Sequence, residues 1–133
     1  MARMRRIAIS GHRGLPSSTT DLVDEAIRSA LAEHTPNVTG LSCLADGADQ
    51  IFARAVTDLG AQAAAIRRMP FTESTSKAHM EASKTMIDEA DELYAVWDGQ
   101  PARGYGGTAD VVAYAREYGT PVRVIWPHGA ERD

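Results

Sequence analysis

Cysteine is nearly missing from this chain: among 133 residues only Cys43 carries a thiol. One thiol cannot close an internal disulfide, and it cannot supply a Cys-based zinc framework. The four histidines, His12, His34, His79 and His128, are scattered and match no metal-ligand spacing. A surplus of positive charge is also missing. Lys plus Arg number 14 against 18 for Asp plus Glu, a formal net charge of −4, and there is no clustered basic run. That balance disfavours a dedicated nucleic-acid binder, whose affinity rests on phosphate contacts. No apolar run approaches the roughly 18–20 residues that span a bilayer. The basic start, Met1 to Arg6, leads only into Ile7-Ala8-Ile9, too short for a signal-peptide core. With no secretory signal the Asn37-Val38-Thr39 sequon reads as chance, and a cytoplasmic location is expected. Neither the P-loop pattern nor G-x-G-x-x-G is present, which argues against a standard ATPase or NAD-dependent dehydrogenase.

What remains is globular. Apolar residues make up 44% and charged residues 24%, ordinary values that exclude disorder, collagen and coiled coil. The length is one domain's worth and long enough to bury a core without staples. Along the chain, short β-branched runs alternate with helical stripes. Arg6 to Ser10 is the first predicted strand. Leu22, Val23, Ala26, Ile27, Ala30 and Leu31 share one helix face, with Ser18 and Asp21 as a capping box and Pro36 as the stop. Val38 to Ser42 is the second strand. Ile51, Phe52, Ala55, Val56 and Leu59 form the second helical stripe, with Asp46 as N-cap and Gly60 as the stop. Gln62 to Arg67 is the weakest strand assignment, because its alanines favour helix. A third helix is expected over Glu73 to Ala90 and a fourth strand over Glu92 to Trp97. The last helix runs from Thr108 to Tyr118, closed by Gly119, and the last strand from Val122 to Trp126. This alternation predicts an α/β fold: a single Rossmann-like three-layer α/β/α domain over residues 1–133, with a mainly parallel five-stranded sheet. Residues 128–133 are expected to fray.

Glycine then locates the candidate site. In an open parallel sheet, ligands bind outside the carboxyl ends of the strands, and the loops there include Gly11-His12-Arg13-Gly14, Leu44 to Gly47 and Asp98 to Gly107. A glycine-rich turn feeding a helix exposes backbone N–H groups and a positive dipole end, which suits a phosphate. Gly106-Gly107-Thr108 fits this best, as the end of a long loop; the alternative is a flexible loop with a Thr cap. In the first loop, Arg13 can clamp a phosphate or carboxylate and His12 can stack on a base or act as acid or base, unless both are simply solvated. Asp46 and Gly47 open the second helix, where capping alone explains the carboxylate and a ribose contact is the sharper reading. Asp98 ends the fourth strand and either accepts from a ribose or begins an Asp-Gly turn. Asp110 lies in the first turn of the last helix, where the dipole accounts for it and a catalytic role is the alternative. Trp97 and Trp126 are read mainly as packing residues, and Cys43 as a small core residue.

The segments Ile7-Ala8-Ile9-Ser10-Gly11-His12-Arg13, Val38-Thr39-Gly40-Leu41 and Leu44-Ala45-Asp46-Gly47-Ala48-Asp49 resemble the nucleotide-binding half of DNA-processing protein A (DprA/Smf). Gly106-Gly107-Thr108 resembles the P-G-G-x-G-T loop of the cytokinin-activating phosphoribohydrolases of the LONELY GUY type. Together these resemble the SLOG superfamily of Rossmann-like domains over roughly Arg6 to Pro127. Val96-Trp97-Asp98-Gly99 through Gly107-Thr108 is also similar to nucleoside 2-deoxyribosyltransferases. The resemblance implies a nucleotide or nucleoside site, with a phosphate loop at Gly106, Gly107 and Thr108 and a first-strand loop at Gly11, His12 and Arg13. Both enzyme groups place a catalytic Glu three residues after the loop threonine, where this sequence has Val111.

Three functions stay open. The first is a sensor or carrier that holds a nucleotide or nucleotide-derived ligand through Gly11, His12, Arg13, Asp46, Gly47, Asp98, Gly106, Gly107 and Thr108. The second is a nucleotide N-glycoside hydrolase or transferase using Asp98 or Asp110 as catalytic acids. The third is a single-stranded DNA-binding accessory. No metal and no cofactor are implied beyond a nucleotide or nucleotide-sugar ligand. No membrane partner is expected, and related folds suggest a homodimer.

Overall fold

The computed structural model describes residues 5–12, 15–35, 37–42, 48–60, 67–68, 76–101 and 107–131. Strands and helices alternate as β1 (Arg5–Gly11), α1 (Ser17–Ala32), β2 (Val38–Ser42), α2 (Ala48–Asp58), β3 (Arg67–Arg68), α3 (Ser76–Glu89), β4 (Glu92–Val96), α4 (Thr108–Tyr118) and β5 (Val122–Val124). The five strands form one sheet in the order β3-β2-β1-β4-β5, and every pairing is parallel. The α/β reading therefore holds.

Both sheet faces are covered, and the strands show it. Successive side chains of a strand point to opposite faces. Ile7 and Ile9 of β1, with Tyr94 and Val96 of β4, join Val23, Ile27 and Leu31 of α1 and Phe52 and Val56 of α2 in one core. The alternate positions Ala8, Leu93 and Ala95 join Met86 and Ile87 of α3 and Val111, Val112 and Ala115 of α4 in the other. A strand buried on both faces is apolar on both, which is why the buried centres Ile7-Ala8-Ile9 of β1 and Leu93 to Val96 of β4 read as apolar runs. Ile7, Ile9 and Leu93 are each at most 1% exposed, and such a side chain contributes about 1.5–3 kcal/mol by burial.

The order of the strands places the site. From β1 the chain steps outward through β2 and β3, then returns to lay β4 and β5 on the other side of β1. The reversal puts the switch point of the sheet, where open α/β sheets take ligands, at the carboxyl ends of β1 and β4. Gly11 lies at that point. A Cβ on Gly11 would sit 2.5 Å from the Ala48 Cβ and 2.7 Å from the Val96 Cβ. Neither atom can swing away, because each is fixed to its own backbone.

Several boundaries differ from expectation. No side chain caps α1; its N-cap is Pro16, at φ −57 and ψ 154. The expected capping box at Ser18 and Asp21 is therefore absent, and the Thr20 N–H closes the first turn on the Pro16 carbonyl at 2.9 Å. The described part of β3 is Arg67–Arg68, so most of the Gln62 to Arg67 assignment lies outside the described residues, as do Pro36 and the start expected for α3 at Glu73. β5 stops at Val124: the Ile125 N–H still donates to the Ala95 carbonyl at 2.7 Å, but Trp126 departs from the strand and Pro127 has no N–H to pair. The segment after Pro127, expected to fray, is held as far as Glu131, whose N–H donates to the buried Thr19 hydroxyl at 2.7 Å. α4 matches its predicted limits, and Gly119 ends it at φ 86.

Polar pairs tie the helices. Arg28 bridges Asp24 at 2.9 Å and Asp58 of α2 at 2.8 Å, although exposed pairs are worth only about 0.2–1 kcal/mol each. The Tyr114 hydroxyl of α4 donates to Asp88 of α3 at 2.7 Å, its ring stacks on Tyr118, and Lys84 lies 5.6 Å from the ring centre.

Two outcomes follow. Gly11→Ala must displace α2 or β4, and urea unfolding should show a loss of about 1–3 kcal/mol with an unchanged slope; a loss below about 0.5 kcal/mol would show that the backbone yields freely. The bond to Asp88 pushes the Tyr114 pKa up to about 12. Between the ordinary phenol value of about 10 and that raised value the folded chain holds more protons than the unfolded one. The stabilisation is thus full below the ordinary value and lost as pH rises through the raised one. Asp88→Asn should lower the Tyr114 midpoint, read from its ring carbon shifts by NMR.

Candidate functional site

The β1 backbone delivers His12 to the carboxyl edge of the sheet. The His12 N–H donates to the Val96 carbonyl at 3.2 Å, and the His12 carbonyl accepts from the Ala48 N–H at 3.3 Å. The ends of β1 and β4 and the start of α2 are thereby joined through one residue. The His12 side chain is only 5% exposed, so it is a buried imidazole and not a solvated turn residue. Its Nε2 accepts the Asp98 N–H at 3.1 Å and lies 3.3 Å from Asp98 Oδ1. The Trp126 ring packs against it edge to face, with centroids 5.6 Å apart and planes at 87°. Residues that follow three strands, β1, β4 and β5, thus meet at one ring.

Beyond His12 the chain is pinned in a tight turn. Asp98 Oδ1 accepts the Gln100 N–H at 3.0 Å, and Gly99 takes φ +84. This is the Asp-Gly turn read in the sequence, in which a short carboxylate bonds the backbone two residues on. The Trp97 indole N–H donates to the Gln100 carbonyl at 2.8 Å. Arg116 of α4 lies 5.9 Å from the Trp97 ring centre. The Asp98 side chain keeps 18% exposure, so the carboxylate is held in place yet reachable.

The second part of the site is the start of α4. Gly107 is the N-cap, extended at φ −69 and ψ 175, with no side-chain cap. Thr108 is 7% exposed. The Gly107 carbonyl accepts the N–H groups of Asp110 and Val111, which starts the helix. The position of the catalytic Glu in the resembling enzymes is filled here by Val111, fully buried in the α3–α4 core. Asp110 lies in the first helical turn and is partly exposed.

Of the residues singled out in the sequence, the structure brings His12 and Asp98 into direct contact and packs Gly11 between Ala48 and Val96. Gly107, Thr108 and Asp110 stand at the start of α4, which follows β4 at the same sheet edge. Arg13, Asp46, Gly47 and Gly106 lie outside the described residues. Sequence reasoning missed the contact between His12 and Trp126, 114 positions apart in the numbering. It also missed the part played by Gln100, for which the preceding Asp98-Gly99 was the available signal. Among the described residues no group of His, Cys, Asp and Glu has a metal-binding arrangement, and no helix is long and apolar enough to cross a membrane.

No protein-family model matches the sequence, and no curated protein matches it significantly. Solved structures do match. DNA processing protein A from Helicobacter pylori, studied for its single-stranded DNA binding mode, superposes with a TM-score of 0.67 at 15% identity, over 98% of this chain and 69% of that one. TM1055, a structural-genomics target solved by X-ray crystallography, gives a TM-score of 0.63 at 18% identity, over 90% of this chain and 72% of that one. The chain thus shares its Rossmann-like α/β fold with these structures, and the resemblance read from the sequence holds at the level of the fold.

Proposed function

We propose that this protein binds a nucleotide or a nucleotide-derived ligand at the carboxyl edge of its sheet, as a sensor or carrier. The observation that carries the reading is the Asp98 carboxylate, held by the Gln100 N–H beside a buried His12 at the reversal point of a parallel sheet. That is where open α/β sheets take ligands. A fixed, reachable carboxylate suits the hydroxyls of a ribose, and the uncapped start of α4 at Gly107 and Thr108 suits a phosphate. Arg13 and Gly106, in the flanking loops, add a cation and a second glycine from the sequence. Val111 speaks for binding over cleavage. An N-glycosidic bond breaks with positive charge developing on the sugar, which calls for a carboxylate beside it, and the family's position for that carboxylate is buried here in apolar packing. Hydrolysis would have to rely on Asp98 or Asp110. The similarity to DNA processing protein A raises single-stranded DNA as a ligand, but a net charge of −4 weighs against a phosphate-driven interface.

The test is a proton NMR time course with nucleoside 5′-monophosphates and ADP-ribose. The expected result is broadening of ligand lines, abolished in Gly107→Val and weakened at least about tenfold in Asp98→Ala, the scale of losing bonds to a charged group. Appearance of free base at a rate that Asp98→Asn or Asp110→Asn removes would make the protein an N-glycosidase. Broadening by no member of the panel would overturn the nucleotide reading.

A further inference from the structure

Resting on that reading, we propose that His12 is a positioning residue that sets Asp98 for the ligand, and that protonating its imidazole reverses the hydrogen bond between them. One ring nitrogen of His12 lies close to both the amide and the carboxylate of Asp98. His12 Nε2 accepts the Asp98 N–H at 3.1 Å, which requires a lone pair there and puts the ring proton on Nδ1. The same Nε2 stands 3.3 Å from Asp98 Oδ1. An imidazolium carries hydrogen on both nitrogens and accepts nothing. On protonation Nε2 therefore releases the amide and turns donor toward the carboxylate.

The surroundings make this an exchange of partners. Trp126 packs against the ring from the end of β5, and the His12 backbone is tied to β4 and α2. A ring so held cannot leave; it can only change what its nitrogen does. Among the described residues, the charged group that faces the ring from β4 is Asp98, while Trp126 packs from beyond β5 and Ala48 bonds the His12 backbone from α2. In the neutral state Oδ1 serves the Gln100 N–H and the carboxylate keeps its place at the sheet edge. In the protonated state it is drawn onto the imidazolium and the amide that held its backbone is freed. The ligand thus meets a set carboxylate at neutral pH and a withdrawn one in acid.

Two measurements decide this, and the first needs no ligand. In the free protein, nitrogen NMR of the imidazole should show the proton on Nδ1 at pH 8. The Asp98 amide proton should move upfield and exchange faster as the pH falls across the range of about 5 to 8 where imidazoles titrate. His12→Gln keeps an acceptor for the amide without titrating, and its Asp98 amide should stay still. A proton on Nε2 at pH 8, or an Asp98 amide that titrates equally in His12→Gln, would overturn the proposal. The second measurement is the affinity for AMP. The wild-type to His12→Gln affinity ratio cancels the titration of the phosphate itself. It should fall about two- to tenfold from pH 8 to pH 5.5, the equivalent of one hydrogen bond, and a constant ratio would overturn the coupling. His12→Ala should bind AMP weakly at both pH values. If AMP binds to none of these proteins, the nucleotide reading fails, while the amide measurement still decides whether His12 holds and releases Asp98.

Discussion

Three pieces of backbone converge on a space that holds only a hydrogen atom. At Gly11 the carboxyl end of β1 passes so close to Ala48 and Val96 that a methyl group would overlap both. Everything at the candidate site is downstream of that approach. Because β1 and α2 touch there, the Ala48 N–H reaches the His12 carbonyl; because β1 and β4 touch there, the His12 N–H reaches Val96. The imidazole is then carried to the sheet edge by a backbone bonded on both sides. A bulkier residue at this point would separate the elements and leave His12 on an ordinary exposed loop. Glycine serves here through its small size, since no left-handed φ is recorded for it.

From that anchor a relay of short bonds runs outward. His12 takes the Asp98 amide, Asp98 takes the Gln100 amide, and the Gln100 carbonyl takes the Trp97 indole. Each link is modest in free energy, about 0.5–1.5 kcal/mol. Their value is geometric: they fix the chain as it leaves β4 toward the long loop that ends at Gly107. The strand order supplies the switch point, and the relay holds Asp98 beside it.

The fold was legible because both faces of the sheet are buried. Full burial forces apolar runs such as Ile7-Ala8-Ile9 and Leu93 to Val96, and amphipathic stripes such as Val23, Ile27 and Leu31 between them. Gly60 and Gly119 were legible as helix ends for a local reason, the left-handed φ they adopt. The start of α1 was not, since Ser17-Ser18-Thr19-Thr20 offers several equivalent caps and Pro16 took the position with none. β5 was read too long because Ile125 and Trp126 are strand-like in composition, yet Trp126 is drawn away from the sheet toward His12. At the site, the Asp98-Gly99 turn was written in neighbouring residues. The bond from Asp98 to His12 joins positions 86 apart, and no local pattern encodes it. The sequence offered a functional role for His12 with a solvated turn as the alternative, but not its burial, because the tryptophan packed on it comes from beyond the last strand.

The edges of the sheet carry one more consequence. β5 is three residues long, lies at one end of the strand order, and is bracketed by Pro121 and Pro127, which cannot donate to a neighbouring ladder. Its middle residue is Arg123, bonded to Glu33 at 2.9 Å, and the strand at the opposite end is Arg67–Arg68. A short, proline-flanked edge strand such as β5 is one way natural sheets avoid growing by strand addition. At the β5 rim, a second copy of the sheet therefore finds little backbone to pair with.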